Sequence, residues 1–217
     1  MPSHDWPRLP LKEICASMQT GPGGGRSTDQ ERTAADGGVP VVLPRDLLGQ
    51  RIVPGEPASV PAVSQDRART LPKYLLAEGD ILVTRTGSVG RSALVTREQA
   101  GWLFHPNLIR LRLPSEGPVL APYLAACLSA ATAQDWIRAR AVAAVIPSIS
   151  MRTLGELPVP VPPVGEQRAI GATLAALDDQ IRAYTDLVRA TSEFRDTLAV
   201  ALLDGILTPD GEVPRSS

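Results

Sequence analysis

LPVPVPPVGEQRAIGATLAALDDQIRAYTDLVRATSEFRDTLAVALLD, residues 157–204, is the stretch that decides the fold. In its opening run, Leu157-Pro158-Val159-Pro160-Val161-Pro162-Pro163, alternate residues lack a backbone N–H. Such a run can be neither helical nor central in a sheet, so it reads as an extended edge segment. From Gly165 the texture reverses. Apolar residues recur as Ile170, Leu174, Leu177, Ile181, Tyr184 and Val188, then, past Thr191 and Arg195, as Leu198 and Leu202. The steps alternate four and three, which is a heptad seam on one continuous helix. Glu166 in the first turn suits the helix dipole, and Gly205 followed by Pro209 supplies the stop. Forty residues at 1.5 Å each make a rod about 60 Å long. A single core of this size does not need such a rod, so most of it is expected to project, with its seam as an interface. Leu187 and Phe194 widen the stripe and predict more than one neighbour.

Upstream, Leu120 to Ala133 carries apolar residues at three- and four-residue steps and predicts an amphipathic helix, with a second helix over Gln134–Ala143. Leu108-Ile109-Arg110-Leu111-Arg112-Leu113 alternates strictly, which predicts a strand with Arg110 and Arg112 facing solvent. Asp80-Ile81-Leu82-Val83-Thr84-Arg85 and Arg91-Ser92-Ala93-Leu94-Val95-Thr96 flank the turn residues Thr86-Gly87-Ser88-Val89-Gly90, a hairpin signature. Gly38 to Pro44 reads as a short strand between prolines, while residues 20–38 and 54–73 read as irregular. The class is therefore α+β: one globular mixed-sheet domain over 1–163, a coiled-coil helix over 164–206, and a disordered tail over 207–217.

The 217 residues, 43% of them hydrophobic, suffice for one core with an appendage. A net charge of −1 argues against a protein that grips nucleic acid alone by bulk electrostatics. No apolar run is long enough to span a membrane. The first residues read as no secretion signal. Cys15 and Cys127 stand far apart, which suits reduced thiols and a cytoplasmic location better than a disulfide framework.

Catalytic chemistry finds no purchase. Thr20-Gly21-Pro22-Gly23-Gly24-Gly25-Arg26-Ser27 approaches a phosphate loop, but Thr20 stands where glycine is needed and Arg26 where lysine is needed. His4 and His105 have no Cys, Asp or Glu at ligand spacing, so no metal site is expected. No nucleophile elbow or cofactor-binding glycine loop occurs. Gly87-Ser88-Val89-Gly90 between Arg85 and Arg91 could hold a phosphate through backbone amides and two guanidinium groups. The same residues make an ordinary glycine-rich turn with solvated arginines, and the sequence weighs the two evenly.

Several blocks occur in a recognisable order. Trp6 with Leu11-Lys12-Glu13-Ile14 opens it, and Gly38-Val39-Pro40 with Asp46-Leu47 follows. Then come Gly79-Asp80-Ile81-Leu82 with Arg85-Thr86-Gly87-Ser88-Val89-Gly90, and finally Ile149-Ser150, Leu154, the proline-rich run and Glu166-Gln167-Arg168-Ala169-Ile170. In this order the chain resembles DNA specificity subunits of type I restriction-modification systems, over almost its whole length. Full-length members carry two recognition domains and two long helices paired antiparallel as a ruler. This chain, with one of each, looks like a half-subunit.

The resemblance implies double-stranded DNA as ligand, and the candidate contacts read from the loops and the hairpin are Arg26, Arg45, Arg85, Thr86, Ser88 and Arg91. It implies a separate modification (methyltransferase) subunit that binds S-adenosylmethionine, a separate restriction subunit, and no cofactor or catalytic residue in this chain. The seam residues Ile170, Leu174, Leu177, Ile181, Tyr184, Val188, Leu198 and Leu202 are expected to pair two copies of the chain and so rebuild a two-domain unit, the alternatives being one domain working alone or a truncated remnant. The competing expectations are a coiled-coil adaptor, a truncated specificity subunit without DNA recognition of its own, and, least favoured, an enzyme with unfamiliar motifs.

Overall fold

The structure is a computed structural model that describes residues 6–23, 32–142 and 145–206. The expected tail at 207–217 lies outside these residues. The chain enters as β1 (Arg8–Pro10), α1 (Leu11–Ile14) and β2 (Ser17–Thr20). Four short strands follow, β3 (Val39–Val42), β4 (Leu47–Leu48), β5 (Arg51–Ile52) and β6 (Ala62–Val63), and then α2 (Gln65–Arg69). Next come the hairpin β7 (Ile81–Thr84) and β8 (Ser92–Leu94), β9 (Leu103–Phe104) and β10 (Leu108–Arg112). Helices α3 (Ala121–Ser129), α4 (Ala131–Arg140) and α5 (Met151–Gly155) lead to β11 (Pro158–Pro160) and the forty-residue α6 (Val164–Leu203). The α+β class is as expected. The second predicted helix begins and ends three residues earlier, because Ala130 and Ala141 are extended and stop α3 and α4. Residues 54–73 are more ordered than their prolines suggested. They hold β6 and α2, the latter capped by the Ser64 hydroxyl, which accepts from Arg67 N–H at 3.2 Å.

Two sheets carry the globular unit. The larger runs β2-β10-β7-β8, antiparallel throughout, and the smaller runs β6-β3-β9 with β3 and β9 parallel. The proline-rich run pairs only with β1, in a two-stranded edge where Val161 N–H donates to Pro7 O at 2.8 Å. Alternate side chains of β7 and β10 feed two different cores. Ile81, Val83, Ile109 and Leu111 pack with Tyr123, Leu124, Leu128 and Ile137 of the helical layer. Leu82 and Leu108 pack on the opposite face with Val42, Leu47 and Phe104.

That second core corrects the reading of β10. Arg110 and Arg112 do alternate with the apolar residues, but the face they share is covered. Arg110 is only 3% exposed. It donates from Nη1 to Lys73 O at 2.9 Å and from Nη2 to Gln19 Oε1 at 3.0 Å, and its guanidinium lies 5.8 Å from the Phe104 ring centroid. Arg112 grips Asp80 with both Nε and Nη2, at 2.7 and 2.6 Å. Asp80 is itself 1% exposed and also accepts from Ala77 N–H at 2.8 Å. Buried charges survive when paired in this way.

By packing, the chain divides into two compact units, Met1–Ala175 and Ala176–Ser217. Within the first, the opening turns of α6 are anchored by Gln167, which is fully buried. Its amide donates to Pro118 O at 2.6 Å and Pro162 O at 2.9 Å, and its carbonyl accepts from Leu120 N–H at 2.9 Å. Gly171 permits the close approach, since a Cβ there would meet Tyr123 N at 3.3 Å. Replacing Gln167 with alanine strands Leu120 N–H and two carbonyls, and an unmet buried donor costs about 1–3 kcal/mol. A drop in stability of about 2–3 kcal/mol in urea unfolding is expected, and an unchanged midpoint would refute the anchor. In the second unit, α6 exposes its apolar residues from Leu177 onward, with Ile181 at 61% and Phe194 at 67%. Among the described residues no helix is long and apolar enough to cross a membrane.

Candidate nucleic-acid interface

The β7–β8 turn is held by main-chain bonds from three directions. Arg85 N–H donates to Asn107 O, Gly87 N–H to Pro147 O, and Ile149 N–H to Arg85 O, each at 2.9 Å. Within the turn, Gly90 N–H donates to Thr84 O at 2.9 Å, and the Thr84 hydroxyl donates to Ser88 O. Gly90 has φ +91°, and a Cβ there would meet Gln134 and Ile137 at 3.1 Å, so only glycine fits. Gln134 Nε2 completes the clasp by donating to Gly90 O at 2.9 Å.

This scaffold separates two clefts that share Gly87, Ser88 and Arg91. One, of about 360 Å³, is lined by Pro44, Arg45, Thr86, Asn107 and Ile146 besides the shared residues. The other, of about 530 Å³, adds Val89, Gln134, Arg138, Ala141, Val142 and Pro147. Four of the six residues expected to touch DNA, Arg45, Thr86, Ser88 and Arg91, thus converge on the smaller cleft. Arg85 stands at the base of the turn and lines neither, and its buried Nε has no hydrogen-bond partner among the described residues. Arg26 lies outside the described residues.

Charge at the smaller cleft is predominantly positive. Arg45 is exposed and only 3.8 Å from Asp46, whose carboxylate accepts from Leu43 N–H at 2.8 Å. Burial pushes the Asp46 carboxyl up, opposed by that hydrogen bond and by Arg45. At Arg138 an ion pair with Asp135 offsets the charge in the larger cleft. Burial holds the His105 imidazole below its usual range, and its Nδ1 accepts from Asn107 N–H at 3.0 Å. Among the described residues no group of His, Cys, Asp and Glu could hold a metal ion. The arrangement offers guanidinium, hydroxyl and amide groups at one concave surface, which suits phosphate and base-edge contact.

Sequence reasoning missed Asn107 and Ile146. The first directly precedes the predicted strand at Leu108, and the second follows the predicted end of a helix at Ala143. An apolar run at Val145-Ile146 directly before Pro147, where no helix can continue, was the available signal.

On the helix, all eight expected interface residues are exposed or partly exposed, from Ile170 through Leu202. Ile170 differs, because it packs on the core of the first unit. The seam therefore has an intrachain partner at its start.

Comparison with known proteins bears on the family and the fold. A family model described as "Type I restriction modification DNA specificity domain" matches residues 3–187. The chain is 28% identical over 141 residues to the type I restriction enzyme EcoEI specificity subunit of Escherichia coli, a match spanning 63% of this chain and 24% of that one. Its fold is similar to a chain of a type I R-M system solved for complex assembly and conformational transition, with TM-score 0.66 and 20% identity over 94% of this chain and 46% of that chain. It is also similar to the type I restriction-modification S subunit from M. genitalium, with TM-score 0.60 and 19% identity over 93% and 47%. The chain thus spans about a quarter of the curated relative and under half of each structural one.

Proposed function

Because the chain belongs to the type I restriction-modification DNA specificity domain family, we propose that it is the sequence-reading subunit of such a complex. The family match over residues 3–187 carries this reading. The convergence of Arg45, Thr86, Ser88 and Arg91 on one cleft supports it. The subunit works in the cytoplasm and is non-catalytic. A modification subunit holds S-adenosylmethionine and receives the flipped base, and a restriction subunit cuts. A net charge of −1 fits this division, since the chain supplies base-edge contacts while partners neutralise most phosphates. Two copies pair through the heptad face of α6, rebuilding a unit with two recognition domains.

The test is binding to duplex DNA by the chain assembled with its modification subunit. Selective binding is expected, and its absence overturns the reading. In the same assay Arg91→Ala separates two modes of contact. If Arg91 meets phosphate, affinity falls evenly across sequences and the slope of log K against log salt loses about one unit. If it meets a guanine edge, the loss concentrates on one base position at about 1–3 kcal/mol.

A further inference from the structure

We infer that Asn107 and Ile146 together read an A·T base pair from the major groove, an assignment that rests on the DNA-recognition reading above. Both line the cleft of about 360 Å³ beside Arg45 and Arg91. Asn107 is exposed, and its main chain is engaged at both ends: N–H to His105 Nδ1 at 3.0 Å, C=O from Arg85 N–H at 2.9 Å. Its carboxamide has no hydrogen bond among the described residues, so a fixed backbone presents a free donor and a free acceptor to the cleft.

Ile146 is 60% exposed, between the fully exposed Val145 and the tied Pro147. The residues that follow it are tied down: Pro147 O accepts from Gly87 N–H, Ser148 bridges to Val142, and Ile149 N–H donates to Arg85 O. A branched apolar side chain exposed to water, in a positively charged setting, is covered when a ligand brings apolar surface of its own. An A·T pair presents the matching edge: adenine N7 accepts and N6–H₂ donates toward a carboxamide, and thymine adds a C5-methyl group. A phosphate has no use for Ile146, and a guanine edge offers two acceptors where the carboxamide supplies one donor face.

Base analogues test this on the unaltered protein. Once the preferred duplex of the assembled complex has been selected, each A·T pair is replaced in turn by a 7-deazaadenine pair, which lacks N7, or by deoxyuridine, which lacks the methyl group. At one position, 7-deazaadenine is expected to weaken binding about 10-fold or more. Deoxyuridine at the same or the adjacent pair is expected to weaken it by a smaller factor. Asn107→Ala should lose the first sensitivity and Ile146→Ala the second, each keeping the other. If the wild-type complex binds selectively yet responds to neither analogue, or if both variants keep full sensitivity, the assignment is wrong while the functional reading stands. If relaxation by Asn107→Ala falls on a G·C pair, the assignment is equally overturned. If the wild-type complex shows no selective binding at all, the functional reading fails and the assignment falls with it.

Discussion

Replacing Asp80 with alanine is expected to destabilise the globular unit by about 3–5 kcal/mol, the cost of breaking a buried ion pair from one side. Its carboxylate sits at 1% exposure, clasped by Arg112 and 4.0 Å from Arg110 Nε. Arg110 is desolvated too, and burial together with the neighbouring Arg112 lowers its pKa while Asp80 opposes them. Removing the carboxylate leaves the buried Arg110 guanidinium with no counter-charge and Arg112, about a third exposed, without its ion-pair partner. Domains are stable by roughly 5–15 kcal/mol, so the variant should melt near ambient temperature or fail to fold. Asp80→Asn, which keeps an acceptor but not the charge, should fall between. Arg45→Ala, at an exposed position, should stay within about 0.5 kcal/mol of wild type. Urea unfolding decides it, and an Asp80→Ala midpoint close to wild type would sink the account of this cluster.

The second large effect is on assembly. Leu177→Glu combined with Ile181→Glu puts two carboxylates per chain into the proposed helix pair, four per dimer. Each position also forfeits the roughly 1.5–3 kcal/mol of a buried Leu or Ile. Dimers should be lost entirely while the Met1–Ala175 unit keeps its fold, since neither residue belongs to its core. Light scattering reads the mass and circular dichroism the fold. An unchanged mass would refute pairing through this face. Thr191 and Arg195 interrupt the seam, and polar seam positions trade affinity for register. If the pair forms about a two-fold axis, its identical domains read the same half-site in inverted orientation. The methylated bases of the host genome should then fall in an interrupted palindrome, and a single asymmetric motif would exclude the symmetric pair.

Much of this was legible where periodicity is long. The heptad pattern specified α6 as one continuous helix that begins at Val164 and ends at Leu203, three residues before the expected 206, and the turn glycines specified the β7–β8 hairpin. What escaped was made by elements too short to show a period. β3, β6 and β9 contribute four residues or fewer each, and β3 pairs with β9 across some sixty residues of chain. Without that second sheet, the polar face of β10 looked like a solvent face, and Arg110 and Arg112 were turned outward. The cleft was half legible for a similar reason. Thr86, Ser88 and Arg91 are neighbours in sequence, whereas Arg45, Asn107 and Ile146 reach them only through tertiary structure.

The hairpin that carries the cleft is fastened largely by main-chain atoms, from Asn107, Pro147 and Ile149, and its conformationally demanding positions are two glycines, Gly87 and Gly90. Main-chain bonds are indifferent to the identity of the residue that makes them. The side chains at 45, 86, 88, 91, 107 and 146 can therefore be exchanged with little penalty to folding, while the Asp80 clasp and the Gln167 anchor stay untouched. On the proposed DNA-reading function, a lineage could drift from one target sequence to another by ordinary point mutation, without passing through an unstable ancestor.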